Sequence, residues 1–408
     1  MSKSGPEKEI RRRIRQEGKI TFEEFMRLAL YHPDGGYYSS PAPFGESGDF
    51  YTGPAVHPAF GACIANQLYS MWELLDRPSP FYAVELGAGA GILSRDLAAY
   101  VSNLPLAFQT SICYLSLDRY PTSVESSTGQ RILTEGVPLR GITGCIFSNE
   151  LPDAFPVHRF RMEAGRLREI YVSYNDRDGI IEVTGEPSTP DIERRLARLD
   201  WGWPDGYEGE VNLHMEPWIR EIASSLDRGF VITVDYGYLS EELYSPARTM
   251  GTLQTYYKHV DGSSPYQRIG RQDLTAHVDF SQLMSDGESS GLRNVTYLNQ
   301  GDYFKGLGLD AMMEGLRRLD IPLRERTSNL RAMQELADAE GFGNFKVLVQ
   351  SKGIPGLSAG NLFPSKAFLE DVTPPIKADH HMSTTESTYP QSNFTLDALW
   401  PDEGKEDD

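Results

Sequence analysis

The sequence predicts an α/β fold, a mostly parallel β-sheet covered by helices on both faces. Three observations carry this. From residue 81 onward, short apolar runs alternate with helical patterns, as they do when each strand is followed by a crossover helix. The first run, FYAVEL at 81–86, carries an acid, Glu85, next to its end, and glycines follow at alternate positions: Gly87, Gly89 and Gly91. Glycines there let the backbone turn tightly at a strand end with no Cβ in the way. Finally, 408 residues with 39% hydrophobic and 11% aromatic content can build a sizeable core.

Ahead of the sheet, residues 7–31 read as two helices. Thr21 with Glu24 three positions later is a capping box, and Phe22, Phe25, Met26, Ala29 and Leu30 follow at helical spacing. Residues 32–54 are rich in Gly, Pro and Ser and form a long loop or flap, before a further helix over 58–76. Strands are expected at 81–86, 112–118, 144–149, 230–235, 293–298 and 345–351, with helices at 91–102, 121–134, 214–226 and 301–318. A Gly-centred turn between two alternating runs makes 157–173 a hairpin inserted into the core. The long polar stretch 236–290 reads as a second insertion. The domain reading is therefore a helical extension and flap over 1–78, a core over 79–352 with insertions near 157–210 and 236–290, and a tail over 353–408. That tail is rich in Pro, Ser, Thr and acids and is expected to be disordered. Within it, DHHM at 379–382 reads as incidental, and no metal ligand set is expected.

A net charge of −19 argues against nucleic acid as a partner, because such binders present basic surfaces. Cys63, Cys113 and Cys145 are scattered and form no CxxC pair, so neither a zinc site nor a disulfide framework is indicated. No apolar run is long enough to span a membrane. The N-terminal segment has arginines but also Glu7, Glu9 and Glu17 and no apolar h-region. It reads as neither a secretory signal nor a mitochondrial presequence. A reducing, cytoplasmic location is the expectation.

The glycine loop narrows the chemistry. A dinucleotide fingerprint requires a glycine at residue 92, which is Ile. Glu85-x-Gly87-x-Gly89-x-Gly91 is instead the pattern of S-adenosylmethionine (AdoMet) sites, where a carboxylate suits the cofactor's ammonium and sulfonium charge. The next strand ends in Asp118, placed to accept hydrogen bonds from two ribose hydroxyls. A tight strand–helix turn with no ligand is the competing reading. After the strand at 144–149 comes SNELPDAFPVHRF (148–160). Loops after strand C-termini line the ligand crevice of such sheets, so Asn149, Glu150 and Asp153 face the site of methyl transfer. Asn149 and Asp153 would also serve as helix caps. Acids in that place suit a cationic acceptor such as a guanidinium.

Nine ordered blocks, among them HPDGGYY, GESGDFYTGP, VELGAGAG, SNELPDAFPVHRF, VDYGY and QDLTAHVDF, make the chain resemble the MidA / NDUFAF7 family over roughly residues 18–350. This is the family of mitochondrial complex I assembly factor 7 and its bacterial relatives. The resemblance implies a class I AdoMet-dependent methyltransferase fold, Rossmann-like with a mostly parallel seven-stranded sheet. It also implies methylation of a protein arginine, with a respiratory-complex subunit as one candidate acceptor. On this reading Gly48, Asp49 and Phe50 form part of a flap over the cofactor, and Glu85, Gly87, Gly89, Gly91, Asp118 and Asn149 hold it. Glu150 and Asp153 are the catalytic pair, and Asp235-Tyr236-Gly237 walls the acceptor side. His259 and His277 read as structural, with proton removal as their alternative role. Two other functions stay open: an assembly chaperone that binds AdoMet without turnover, and a small-molecule methyltransferase.

Overall fold

A computed structural model describes residues 5–39, 52–121, 130–199, 202–257, 260–261 and 264–381. Its principal sheet has seven strands: β1 (Phe81–Leu86), β2 (Ile112–Asp118), β3 (Gln130–Leu133), β4 (Ile142–Asn149), β5 (Leu226–Asp235), β6 (Arg293–Asn299) and β7 (Lys346–Lys352). The spatial order is β6-β7-β5-β4-β1-β2-β3. The five strands from β5 to β3 pair in parallel, whereas β7 runs antiparallel to both β5 and β6. This is the expected α/β methyltransferase sheet.

Both faces of the sheet are buried, which is why its strands read as nearly continuous apolar runs. Phe81 and Ala83 of β1 and Phe230 and Ile232 of β5 meet Phe60, Ile64 and Leu68 of the helix Ala59–Leu74. Their neighbours in sequence, Val84, Leu86 and Val231, point the other way onto Ile219 and Ile222 of the helix Met215–Ser225. Burying each of the Phe, Val, Leu and Ile side chains contributes about 1.5–3 kcal/mol.

The expected hairpin is present as His158–Glu163 and Arg166–Asn175. Ala164 and Gly165 make its turn with φ of 49° and 72°, the left-handed conformation a two-residue hairpin turn needs. Ile20–Thr21, Gly179–Gly185 and Glu208–Val211 extend the hairpin to a second, five-stranded antiparallel sheet. The N-terminal helices α1 (Pro6–Glu17) and α2 (Phe22–Tyr31) pack there, with Ile10, Ile14, Phe25 and Met26 against Val157 and Val172. The Thr21 hydroxyl accepts from the Glu24 N–H at 3.1 Å, as the capping box requires.

Three elements differ from expectation. The helix expected at 121–134 is replaced at its end by β3, a four-residue edge strand whose half-exposed pattern hides its pairing; residues 122–129 lie outside the described residues. The helix at 301–318 is split into Gln300–Gly306 and Leu309–Arg318 by Gly308 at φ 100°. The tail is not structureless up to residue 381. It carries the short helices Ala359–Leu362 and Lys366–Glu370, and buries Leu357 and Leu362 against the core. Among the described residues no helix is long and apolar enough to cross a membrane.

Candidate functional site

The C-terminal ends of β1, β2, β4 and β5 lie side by side. Leu86 is registered with Leu117 and with Ser148, and Asn149 with Val234. The loops that follow therefore converge, and six of the expected cofactor residues and both expected catalytic acids lie at this edge. Gly48, Asp49, Phe50 and His259 lie outside the described residues.

On the cofactor side, Gly87, Gly89 and Gly91 all have left-handed φ, of 71°, 49° and 73°. L side chains are strained there. At Gly87 an added Cβ would also come within 2.9 Å of Leu151 Cδ1, so the loop passes directly under the acceptor segment. Asp118 shapes this loop. Its Oδ2 accepts from the Gly89 N–H at 2.8 Å and pairs with Arg131 at 3.2 Å, while Oδ1 accepts from the Tyr120 N–H at 3.1 Å. Glu85 is buried, and its Oε2 accepts from the Tyr114 hydroxyl at 2.5 Å. Burial pushes its carboxyl up to about 7. Its charge is thus not freely presented to the crevice, and a cation must draw it out. A bare glycine cradle over a protonatable acid fits a cationic nucleoside ligand.

On the acceptor side, Glu150 has φ 49°, which costs a residue with a side chain about 1–2 kcal/mol. Such strain persists only where the surroundings enforce it. Here the Glu150 N–H donates to the Val234 carbonyl at 2.9 Å. Oε1 accepts from Asn149 Nδ2 at 2.8 Å and from the Gly53 N–H at 3.2 Å. Asp153 is buried, and its Oδ2 accepts from the Tyr236 hydroxyl at 2.6 Å. Asp235 sits behind it, accepting from the Asp153 N–H at 3.3 Å and the Tyr236 N–H at 2.8 Å.

Two carboxylate oxygens are left over. Glu150 Oε2 and Asp153 Oδ1 are shielded from solvent and have no hydrogen-bond partner among the described residues. Glu150 as a whole is only partly buried, but this oxygen faces inward. Burial, reinforced by the charge of Asp153, pushes the Glu150 carboxyl up to about 8. Burial likewise pushes Asp153 up to about 6, and holds Asp235 well above the usual range with help from Asp153 and Glu150. Like charges this close do not all ionise without a cation.

His277 lies edge-on to Tyr236, ring centroids 5.1 Å apart, and burial pushes it down to about 3. It is a neutral packing partner. Sequence reasoning named Tyr236 as a wall but missed it as a donor to Asp153. It also missed Tyr31, whose hydroxyl donates to the Ala154 carbonyl at 2.8 Å and whose carbonyl accepts from the Tyr120 hydroxyl at 2.7 Å. Tyr38, stacked on Tyr31, donates to Asp273 and stands in the HPDGGYY block, the one signal that could have flagged it.

Comparison with known proteins points to the same cofactor class. A family profile described as "Putative S-adenosyl-L-methionine-dependent methyltransferase" matches residues 63–298. The Drosophila melanogaster protein arginine methyltransferase NDUFAF7 homolog, mitochondrial, is 26% identical over 388 residues, covering 87% of this chain and 86% of its own. The Homo sapiens protein arginine methyltransferase NDUFAF7, mitochondrial, is 25% identical over 385 residues, covering 84% and 83%. A Burkholderia thailandensis structure with S-adenosyl-homocysteine bound superposes with a TM-score of 0.75 at 25% identity, covering 86% of this chain and 92% of that one. The fold and the AdoMet cofactor follow. The cytoplasmic location expected from the sequence is overturned, since these relatives are named as mitochondrial proteins.

Proposed function

The chain belongs to the S-adenosyl-L-methionine-dependent methyltransferase family, and from that premise we propose that it methylates an arginine side chain of a protein. One observation carries the acceptor class: the two shielded, unpartnered carboxylate oxygens of Glu150 and Asp153, both on the loop that overlies Gly87. A guanidinium is a planar cation with five donors, matched to two carboxylates in a way a single ammonium is not. The names of the mitochondrial relatives support the same acceptor.

The cofactor supplies the methyl group, held by the loop Gly87–Gly91 with Glu85, Asp118 and Asn149. The chain's residues do the rest. Glu150 Oε2 and Asp153 Oδ1 accept from the guanidinium and ionise as it enters. Their charge fixes the planar group in one orientation and leaves one nitrogen free toward the cofactor side. Tyr236 holds Asp153 in place through its 2.6 Å hydrogen bond. When that nitrogen gains a substituent it must lose a proton, and a carboxylate raised by burial is suited to take it. Positioning and preorganised charge provide the main rate gain.

The test is to label a lysate with methyl-tritiated AdoMet, with and without the enzyme, and hydrolyse the labelled protein. Tritium in methylarginine supports the proposal. Label confined to small molecules supports a small-molecule methyltransferase, and AdoMet binding with no transferred label supports an assembly chaperone.

A further inference from the structure

We propose that Asp96, His380 and His381 form a binding site for a divalent transition-metal ion of the zinc class, which pins the C-terminal segment to the core. Asp96 lies in the helix Ile92–Val101, directly after the glycine loop, and the two histidines lie 284 and 285 residues further along. His380 Nε2 is 3.0 Å from Asp96 Oδ1, and His381 Nε2 is 2.9 Å from Asp96 Oδ2. One ligand atom from each of the three residues lies within 4.8 Å of the other two. Two imidazoles and a carboxylate are a common donor set for such ions, which complete four-coordination with water.

The surroundings suit an ion in three ways. Asp96 and His381 are buried while His380 is partly exposed, which leaves a path for entry and for a water ligand. A net charge of −19 favours cations. A metal-bound histidine uses its other ring nitrogen as a donor to a fixed acceptor, and His381 Nδ1 lies 3.2 Å from the Ala378 carbonyl. Without metal the same nitrogen accepts from the Ala378 N–H at 3.0 Å, and Nε2–H donates to Asp96. The backbone thus provides a partner for either tautomer. The segment is already guided to this place, since the Lys377 N–H donates to Asn329 Oδ1 at 2.8 Å.

The experiment is calorimetric titration of the chelator-stripped full-length chain with Zn²⁺, paired with visible absorption on Co²⁺ addition. One ion per chain with a Co²⁺ band of four-coordinate type is expected. Asp96→Asn and His380→Ala should each weaken binding by more than the ~10–100-fold that loss of an outer-sphere partner costs. AdoMet titration of the same variants confirms that they fold. Should Asp96→Asn fail to fold, trypsin cleavage after Lys377 in the wild type serves instead, and Zn²⁺ should slow it. No Zn²⁺ uptake by the wild type, or uptake unchanged in both variants, means that hydrogen bonds and apolar packing hold the segment without an ion and overturns the proposal.

Discussion

Replacing Glu150 with Gln should make the cofactor-free protein more stable and less active. In the native chain the Glu150 carboxyl is held near 8, against 4.5 for the free side chain. A carboxyl raised on folding contributes stability that is complete below 4.5 and is lost as pH climbs to about 8. At pH 7 the unfolded chain gains about 1.4 kcal/mol for each pH unit above its own pKa, and the native state does not follow. That amounts to about 3 kcal/mol as a ceiling, and roughly 1–3 kcal/mol once the partial exposure of the residue is allowed for. Glutamine does not titrate. It keeps an oxygen for Asn149 and Gly53 and places an amide where the carboxyl proton sat. Thermal unfolding of both proteins without cofactor, at pH 5, 7 and 8, should show a gap in favour of Glu150→Gln that widens with pH. Methyl transfer should fall by about ten- to a hundredfold, the worth of one charge-assisted hydrogen bond. A variant that is less stable at pH 8, or whose stability difference ignores pH, would show that the carboxylate is not held unpaired and would remove the basis for the guanidinium clamp.

Three further outcomes are expected. Tyr236→Phe removes the donor that lowers the Asp153 carboxyl, so that carboxyl should titrate higher by of the order of one pH unit when followed by its infrared band in the cofactor-free protein; an unmoved titration would show that the Tyr236 hydroxyl does not set the Asp153 charge. Gly89→Val forces a β-branched residue to φ 49° in the cradle, and AdoMet should no longer register by calorimetry although far-UV circular dichroism is unchanged. Leu362→Ala opens a hole under the C-terminal segment and should cost about 2–5 kcal/mol in denaturant unfolding, whereas removal of residues 382–408 should leave that unfolding curve in place.

The central strands were legible because a sheet covered on both faces favours apolar residues on both sides of a strand, and β1, β4 and β5 carry such runs at Ala83-Val84, Cys145–Phe147 and Phe230–Ile232. The place of Glu150 and Asp153 beside the glycine loop was legible because they follow a strand whose end must face the crevice. What completes them was not. Tyr236 meets Asp153 from 83 residues away, and spacing along a chain carries no signal for such a contact. β3 escaped notice because a short edge strand buries too little to impose an alternating pattern. The C-terminal segment misled for the opposite reason: composition reads as disorder, yet Leu357 and Leu362 are buried in the core and Phe363, Phe368 and Val372 pack against it. The histidine pair then gained meaning only from Asp96, at the far end of the sequence.

Tyr31 bears on where an experimenter cuts this gene. The family profile starts at residue 63, and a fragment made to that boundary would retain the glycine loop, both acids and most of the sheet. It would lack Tyr31, which ties the Asp118 side to the Asp153 side, through Tyr120 to its carbonyl and from its hydroxyl to Ala154. Such a fragment would also lack the Gly53 N–H that donates to Glu150 Oε1, so it should hold the acceptor loop loosely, and inactivity in it would say nothing about the full chain. A fragment meant to test activity should therefore reach back through the helix Phe22–Tyr31, whose last residue braces the loop that carries both acids.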